Sequence, residues 1–217
     1  MSVASTTAFS NCDIVHLTLG VSTIEYTDPV GVAIKGNTKL KTLNLPNCIS
    51  FYSSTAQGCT ALESVSAPLV ETVTQLAFAG CTSLKEIELP MCGATNTFGI
   101  GNKAFSGCTA LEKISLPNIT STNASAFMNC TSLKEFYAPK LAGVHESDPF
   151  SGVTTIERFT ECRAKIPAYS AKWPNLVYYS NSLATSAASH AFHGCDYLSE
   201  GGFHAPNLAD MSTYTFT

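Results

Sequence analysis

The 217-residue sequence predicts a mainly β repeat solenoid: a right-handed coil of about eight units, 22–27 residues each, with a parallel sheet of short strands. Two observations carry this reading. The first is a recurring phrase. Gly58-Cys59-Thr60-Ala61-Leu62-Glu63-Ser64-Val65-Ser66-Ala67-Pro68 returns as Gly80-Cys81-Thr82-Ser83-Leu84-Lys85-Glu86-Ile87-Glu88-Leu89-Pro90, and again from Gly107 and Asn129. The second is a small residue followed by Phe, or a substitute for that pair, at positions 8, 33, 55, 77, 104, 126, 149 and 191. The steps are 25, 22, 22, 27, 22, 23 and 42 residues. A unit this short cannot bury an apolar face alone, so successive units must stack.

Within a unit, Leu84-x-x-Ile87-x-Leu89 has apolar residues three and then two apart, the pattern of a turn entering a short strand. Pro90 ends the strand because it has no N–H to give a ladder. Val70, Val73 and Phe78 line a return path. The 27-residue unit holds an insertion at Gly93-Ala94-Thr95-Asn96-Thr97-Phe98-Gly99. The chain divides into a solenoid over 1–162, a degenerate or cap-like segment over 163–187, and a last divergent repeat with its tail over 188–217. The tail from Met211 to Thr217 alternates like a strand.

These phrases resemble the BspA-type leucine-rich repeat family, whose unit reads Cys-x-x-Leu-x-x-Ile-x-Leu-Pro and later Ala-Phe-x-x-Cys. The match is strong over 55–141 and recognisable over 8–160. Ile166-Pro167-Ala168-Tyr169 and Trp173 look like the segment that often ends such arrays, yet a further copy follows at 190–208. The resemblance implies a curved leucine-rich-repeat solenoid used for adhesion or protein binding, generally without catalytic activity.

Six of nine cysteines, Cys12, Cys59, Cys81, Cys108, Cys130 and Cys195, share one repeat position, with Asn37 and Val153 in its place elsewhere. Stacked coils about 4.8 Å apart put these thiols in a column whose parallel side chains are poorly set for disulfides. Cys48 and Cys92 stand where other units have Val70, Ile119 and Leu141, and act as small hydrophobes. The cysteine ladder is therefore structural, and suits a reducing interior.

Charges form a second pattern. The column Lys41, Glu63, Lys85, Glu112, Lys134, Glu157 alternates strictly in sign, and so does Glu86, Lys113, Glu135, Arg158 beside it. Stacking makes this a checkerboard whose role is register, because a slip by one coil would set like charges together.

Composition excludes other classes. Charged residues make up 13% and the net charge is -4 with no basic block, so no nucleic-acid partner is expected. No stretch approaches the roughly 20 apolar residues of a membrane span. The first seven residues have neither a basic nor an apolar region of a secretory signal. That fits cytoplasmic synthesis, or a place in a virion or extracellular assembly. His190-x-x-His193-x-Cys195 suggests a metal, but in repeat register these groups diverge. No catalytic constellation or phosphate-binding loop is readable, so neither enzyme activity nor a cofactor or metal is expected.

Binding candidates follow from position. Glu88, Ser115, Tyr137 and Thr160 sit in the outward column of the sheet, and Phe98 in the insertion. Trp173, Tyr178 and Tyr179 are either an exposed aromatic patch or the core of a terminal cap. Two functions compete: a module binding a host or self protein through one face, and a structural subunit of a virion, filament or other homo-oligomer stacking through open ends.

Overall fold

The computed structural model describes residues 12–20, 34–94, 99–144, 148–167 and 172–211. Phe98 and the tail beyond Met211 lie outside them. Among the described residues the strands are β1 His16–Thr18, β2 Thr42–Asn44, β3 Ser50–Phe51, β4 Ser64–Ser66, β5 Thr72–Val73 and β6 Glu86–Glu88. There follow β7 Lys113–Ser115, β8 Ser121–Thr122, β9 Glu135–Tyr137, β10 Gly143–Val144 and β11 Arg158–Glu161. The last are β12 Lys165–Ile166, β13 Tyr178–Asn181, β14 Ser186–Ala187, β15 Phe203–His204 and β16 Asp210–Met211. Every strand pairing is parallel, as a coil that returns each strand in the same direction requires.

Three lines of hydrogen bonds tie the coils together. The principal sheet is in two parts, β1-β2-β4 and β6-β7-β9-β11-β13-β15. A second line joins β3 to β5, bridges through Ile100 to β8 and β10, and resumes as β12-β14-β16. The third is the turn before Cys59, Cys81, Cys108 and Cys130, where Gly58 N–H donates to Ala79 O at 2.8 Å and Gly80 N–H to Ser106 O at 2.8 Å. That turn needs a left-handed residue: Gly58, Gly80 and Gly107 have φ of 74–76°, and Asn129 takes the same conformation at 60°.

The core runs between these lines. Register stacks Leu17, Leu43 and Val65, and then Ile87, Ile114, Phe136, Phe159, Tyr179 and Phe203. Facing them, Phe78, Phe105, Phe127 and Phe150 form a stack with ring centroids 5.2–5.7 Å apart. The described residues of 163–187 contribute strands β12, β13 and β14 and buried core side chains. Leu176, Tyr179 and Asn181 take the places that Leu133, Phe136 and Ala138 hold, which puts Trp173 in the ladder-cysteine position.

Trp173 and Tyr179 are fully buried, so they belong to the core and not to an aromatic binding patch. The indole N–H donates to Val153 O at 3.1 Å, and Phe150 meets the indole edge-on at 5.8 Å. Tyr178 is half-buried beneath the Arg158 guanidinium, 4.4 Å from its ring centroid.

Candidate functional site

The outward residues of the strands form one column. Glu88, Ser115, Tyr137, Thr160, Ser180 and His204 are consecutive partners in the ladder, and Thr18, Asn44 and Ser66 make the corresponding column in the first sheet. Short strands with one buried residue between two outward ones hold these side chains on a single face. Tyr137 is its large apolar projection, 47% exposed.

The charged checkerboard borders this face. Among the described residues two of its neighbours close, Lys41 to Glu63 at 2.9 Å and Lys113 to Glu135 at 3.4 Å. All four side chains are about half exposed, so water screens the pairs and they add little stability. At the end of the row Arg158 stacks on Tyr178 in place of a further charge pair.

The ladder cysteines lie behind the face. Cys59, Cys81, Cys108 and Cys130 are buried free thiols. Each S–H donates to a carbonyl of the preceding coil: Cys59 to Ile34 O at 2.8 Å, and Cys81, Cys108 and Cys130 to Ala56, Phe78 and Phe105 O at 3.1 Å. Each thiol thus adds an intercoil bond to a carbonyl already used by its own turn. Half-buried Cys12 accepts from Asn37 Nδ2 at 3.5 Å. Burial raises the thiol of Cys59 to about 11 and those of Cys92 and Cys108 to about 12, while Cys81 and Cys130 also rise well above the ordinary value. These thiols stay protonated at neutral pH and are not nucleophiles.

Two features lie beyond the sequence patterns. One is a buried polar cluster: the Tyr179 hydroxyl donates to Glu161 Oε1 at 2.7 Å, and Arg163 pairs with the other oxygen of that carboxylate. Asn181 donates to the Tyr179 oxygen at 3.1 Å and to Arg163 O at 3.0 Å. Desolvation and the Glu161 charge raise the Tyr179 hydroxyl well above its usual range. The second is the break in the sheet between β4 and β6, where the face carries a depression of about 740 Å³ lined by Ser64, Ser66, Glu86, Glu88, Ser115 and Tyr137 among others.

His190 and His193 face each other 5.7 Å apart, with Ser189 Oγ 2.8 Å from His190 Nδ1. Among the described residues no three His, Cys, Asp or Glu side chains converge as a metal centre, and no helix is long and apolar enough to cross a membrane.

The family described as "BspA type Leucine rich repeat region" matches residues 2–91 and 53–172, with six copies. The chain belongs to the BspA-type leucine-rich repeat family. A search of curated protein sequences returns no match. Among solved structures, a leucine-rich cell surface protein from Faecalibacterium prausnitzii A2-165 is 18% identical with a TM-score of 0.34, covering 80% of this chain and 59% of its own. A leucine-rich repeat protein of T. pallidum is 20% identical with a TM-score of 0.37, over 78% of this chain and 72% of its own. One from Bacteroides ovatus ATCC 8483 is 15% identical with a TM-score of 0.29, over 88% and 78%. The chain therefore spans about 59% of the length of the first of these.

Proposed function

We propose that this BspA-type repeat chain is a non-enzymatic protein-binding module, acting in adhesion or as a scaffold, and that its working surface is the outward column Glu88, Ser115, Tyr137 and Thr160. The observation that carries the reading is the column itself: six consecutive ladder partners present side chains to solvent on one continuous face, with Tyr137 exposed at its centre. An exposed aromatic on a rigid, otherwise polar face is the residue type on which protein interfaces concentrate binding energy. The face carries both signs of charge, so it offers orientation to a partner rather than general attraction.

The test is capture of partner proteins on immobilised chain, compared with Tyr137→Ala and with Lys140→Ala, which alters an exposed side chain at the ridge beyond the strands. The expected result is a partner retained by the wild type and by Lys140→Ala, with at least tenfold weaker retention by Tyr137→Ala. Equal retention by all three contradicts the assignment. Concentration-dependent oligomers in light scattering, abolished by changes at β15 and not at Tyr137, would favour assembly through the solenoid end instead.

A further inference from the structure

The core is closed unevenly at the last described coil. β15 is the last strand of the principal sheet there, and β16 the last of the second line. Register and turn bonds set Leu198, Phe203, Ala205 and Leu208 where the coil before has Leu176, Tyr179, Asn181 and Ala184. The earlier four are fully buried and the later four only half-buried, as the inward strand side of a last described coil would be. The return side of the same coil is different. Phe192 is 2% exposed, and Ala191 and Cys195 are buried with it. The described residues stop at Met211, short of the return path of a following coil.

The sequence after Met211 fits that place. β16 pairs with β14 so that Asp210 opposes Ser186 and Met211 opposes Ala187. Carried forward without a gap, the register brings Tyr214 to His190, Thr215 to Ala191, Phe216 to Phe192 and Thr217 to His193. Thr215-Phe216 thus repeats Ala191-Phe192 after 24 residues, within the spacing of the other units, and Thr55 already serves as the small residue of one of them.

Stacking at this position follows one rule along the solenoid. The N–H at the Phe position donates to the small residue of the following coil: Ala56 to Ala77 O at 2.7 Å, and Phe78, Phe105 and Phe127 to Ala104, Ala126 and Pro149 O at 2.8 Å. Two residues on, Gly58, Gly80, Gly107 and Asn129 donate at 2.8 Å to Ala79, Ser106, Met128 and Ser151 O. The same rule brings Phe192 N–H to Thr215 O and Gly194 N–H to Thr217 O. It also sets the Phe216 ring on Phe192, as Phe127 sits on Phe105 at 5.7 Å and 9°.

We propose that residues 212–217 form the return half of one more coil, a strap that caps Phe192 with Phe216 and takes the N–H groups of Phe192 and Gly194 on Thr215 and Thr217. Six residues span about 20 Å when extended, enough for the return path and not for the strands beyond it. The strap therefore blocks another molecule from stacking on the return side of this end, and does not extend over Leu198 and Leu208 beside β15. Capping of this kind is what an array needs where its stacked core would otherwise meet water.

Two measurements on the full-length chain test it. In the wild type, a nuclear Overhauser contact is expected between the ring protons of Phe216 and Phe192, and its absence overturns the strap. Amide hydrogen exchange is then compared between wild type and Phe216→Ser. Phe192 and Gly194 should be protected in the wild type and exchange at least about tenfold faster in Phe216→Ser, with Phe105 and Gly107 unchanged. Phe216→Leu, which stays apolar, should keep most of the protection. Tyr214→Ser should leave it intact, because register places Tyr214 beside exposed His190. Phe192 and Gly194 amides that are unprotected in the wild type, or that do not respond to Phe216→Ser, contradict the proposal.

Discussion

In reducing buffer the chain unfolds between about pH 9 and pH 11, well before its backbone is chemically at risk. The cause is the set of buried thiols at Cys59, Cys81, Cys92, Cys108 and Cys130, whose folded-state pKa values all lie above the ordinary value. Desolvation is the largest cause at each. Below the unfolded pKa both states hold these protons and the stability is complete. Above it the unfolded chain gives up protons that the folded chain retains, so stability falls as pH rises toward the folded values. Cys59, Cys92 and Cys108, with folded values near 11–12, each cost about 1 kcal/mol by pH 10. Cys81 and Cys130 add losses of the same sign, against the roughly 5–15 kcal/mol of a typical domain. Tyr179 adds a loss of the same sign. Circular dichroism against pH checks this. Cys92→Val, which puts in the residue that Val70 already represents in the equivalent slot, removes one titrating group and moves the midpoint upward. A chain still folded at pH 11, or a midpoint unmoved by that substitution, contradicts the assignment.

The second large effect belongs to Glu161. Its side chain is fully buried, and Glu161→Ala leaves the Tyr179 hydroxyl without its acceptor and Arg163 without its carboxylate. Removing one member of a buried charged pair costs about 3–5 kcal/mol, less here because the Arg163 side chain is 19% exposed and can turn toward water. A loss of about 3 kcal/mol is expected in denaturant melts. Glu161→Gln still accepts from Tyr179 and loses less than half as much. Equal losses for the two variants would show that shape, and not the hydrogen-bonded carboxylate, governs this layer. The cluster lies in the coil that departs most from the repeat, with Cys162 where most units have proline.

How much of this is legible in the sequence depends on whether a residue follows the repeat. Cys81, Leu84, Ile87 and Leu89 recur in several units, and their burial follows from pattern alone. The face residues Glu88 and Tyr137 follow from strand alternation. Trp173 and Tyr179 are ambiguous as isolated aromatics, but the spacing Leu176-x-x-Tyr179 matches Leu133-x-x-Phe136 and would have placed them inside. Glu161 has no such signal, because its partners Arg163, Tyr179 and Asn181 come together only once two irregular coils stack. The break between β4 and β6 is the least visible feature. Residues 59–68 form an ordinary repeat phrase, and only the pairing of β4 with its successor distinguishes it. Ala56 for Phe, and a 27-residue unit leaving β6, are the two sequence irregularities at that place.

Site-resolved amide hydrogen exchange tests the central claim, a parallel sheet whose ladder is opened at one junction. The account predicts that the amides of Val65, Ala67, Glu86 and Glu88 exchange orders of magnitude faster than those of Ile114, Phe136 and Phe159. The turn amides of Gly58 and Gly80 on either side should stay protected. Uniform protection of all the strands from β2 to β11 would contradict it.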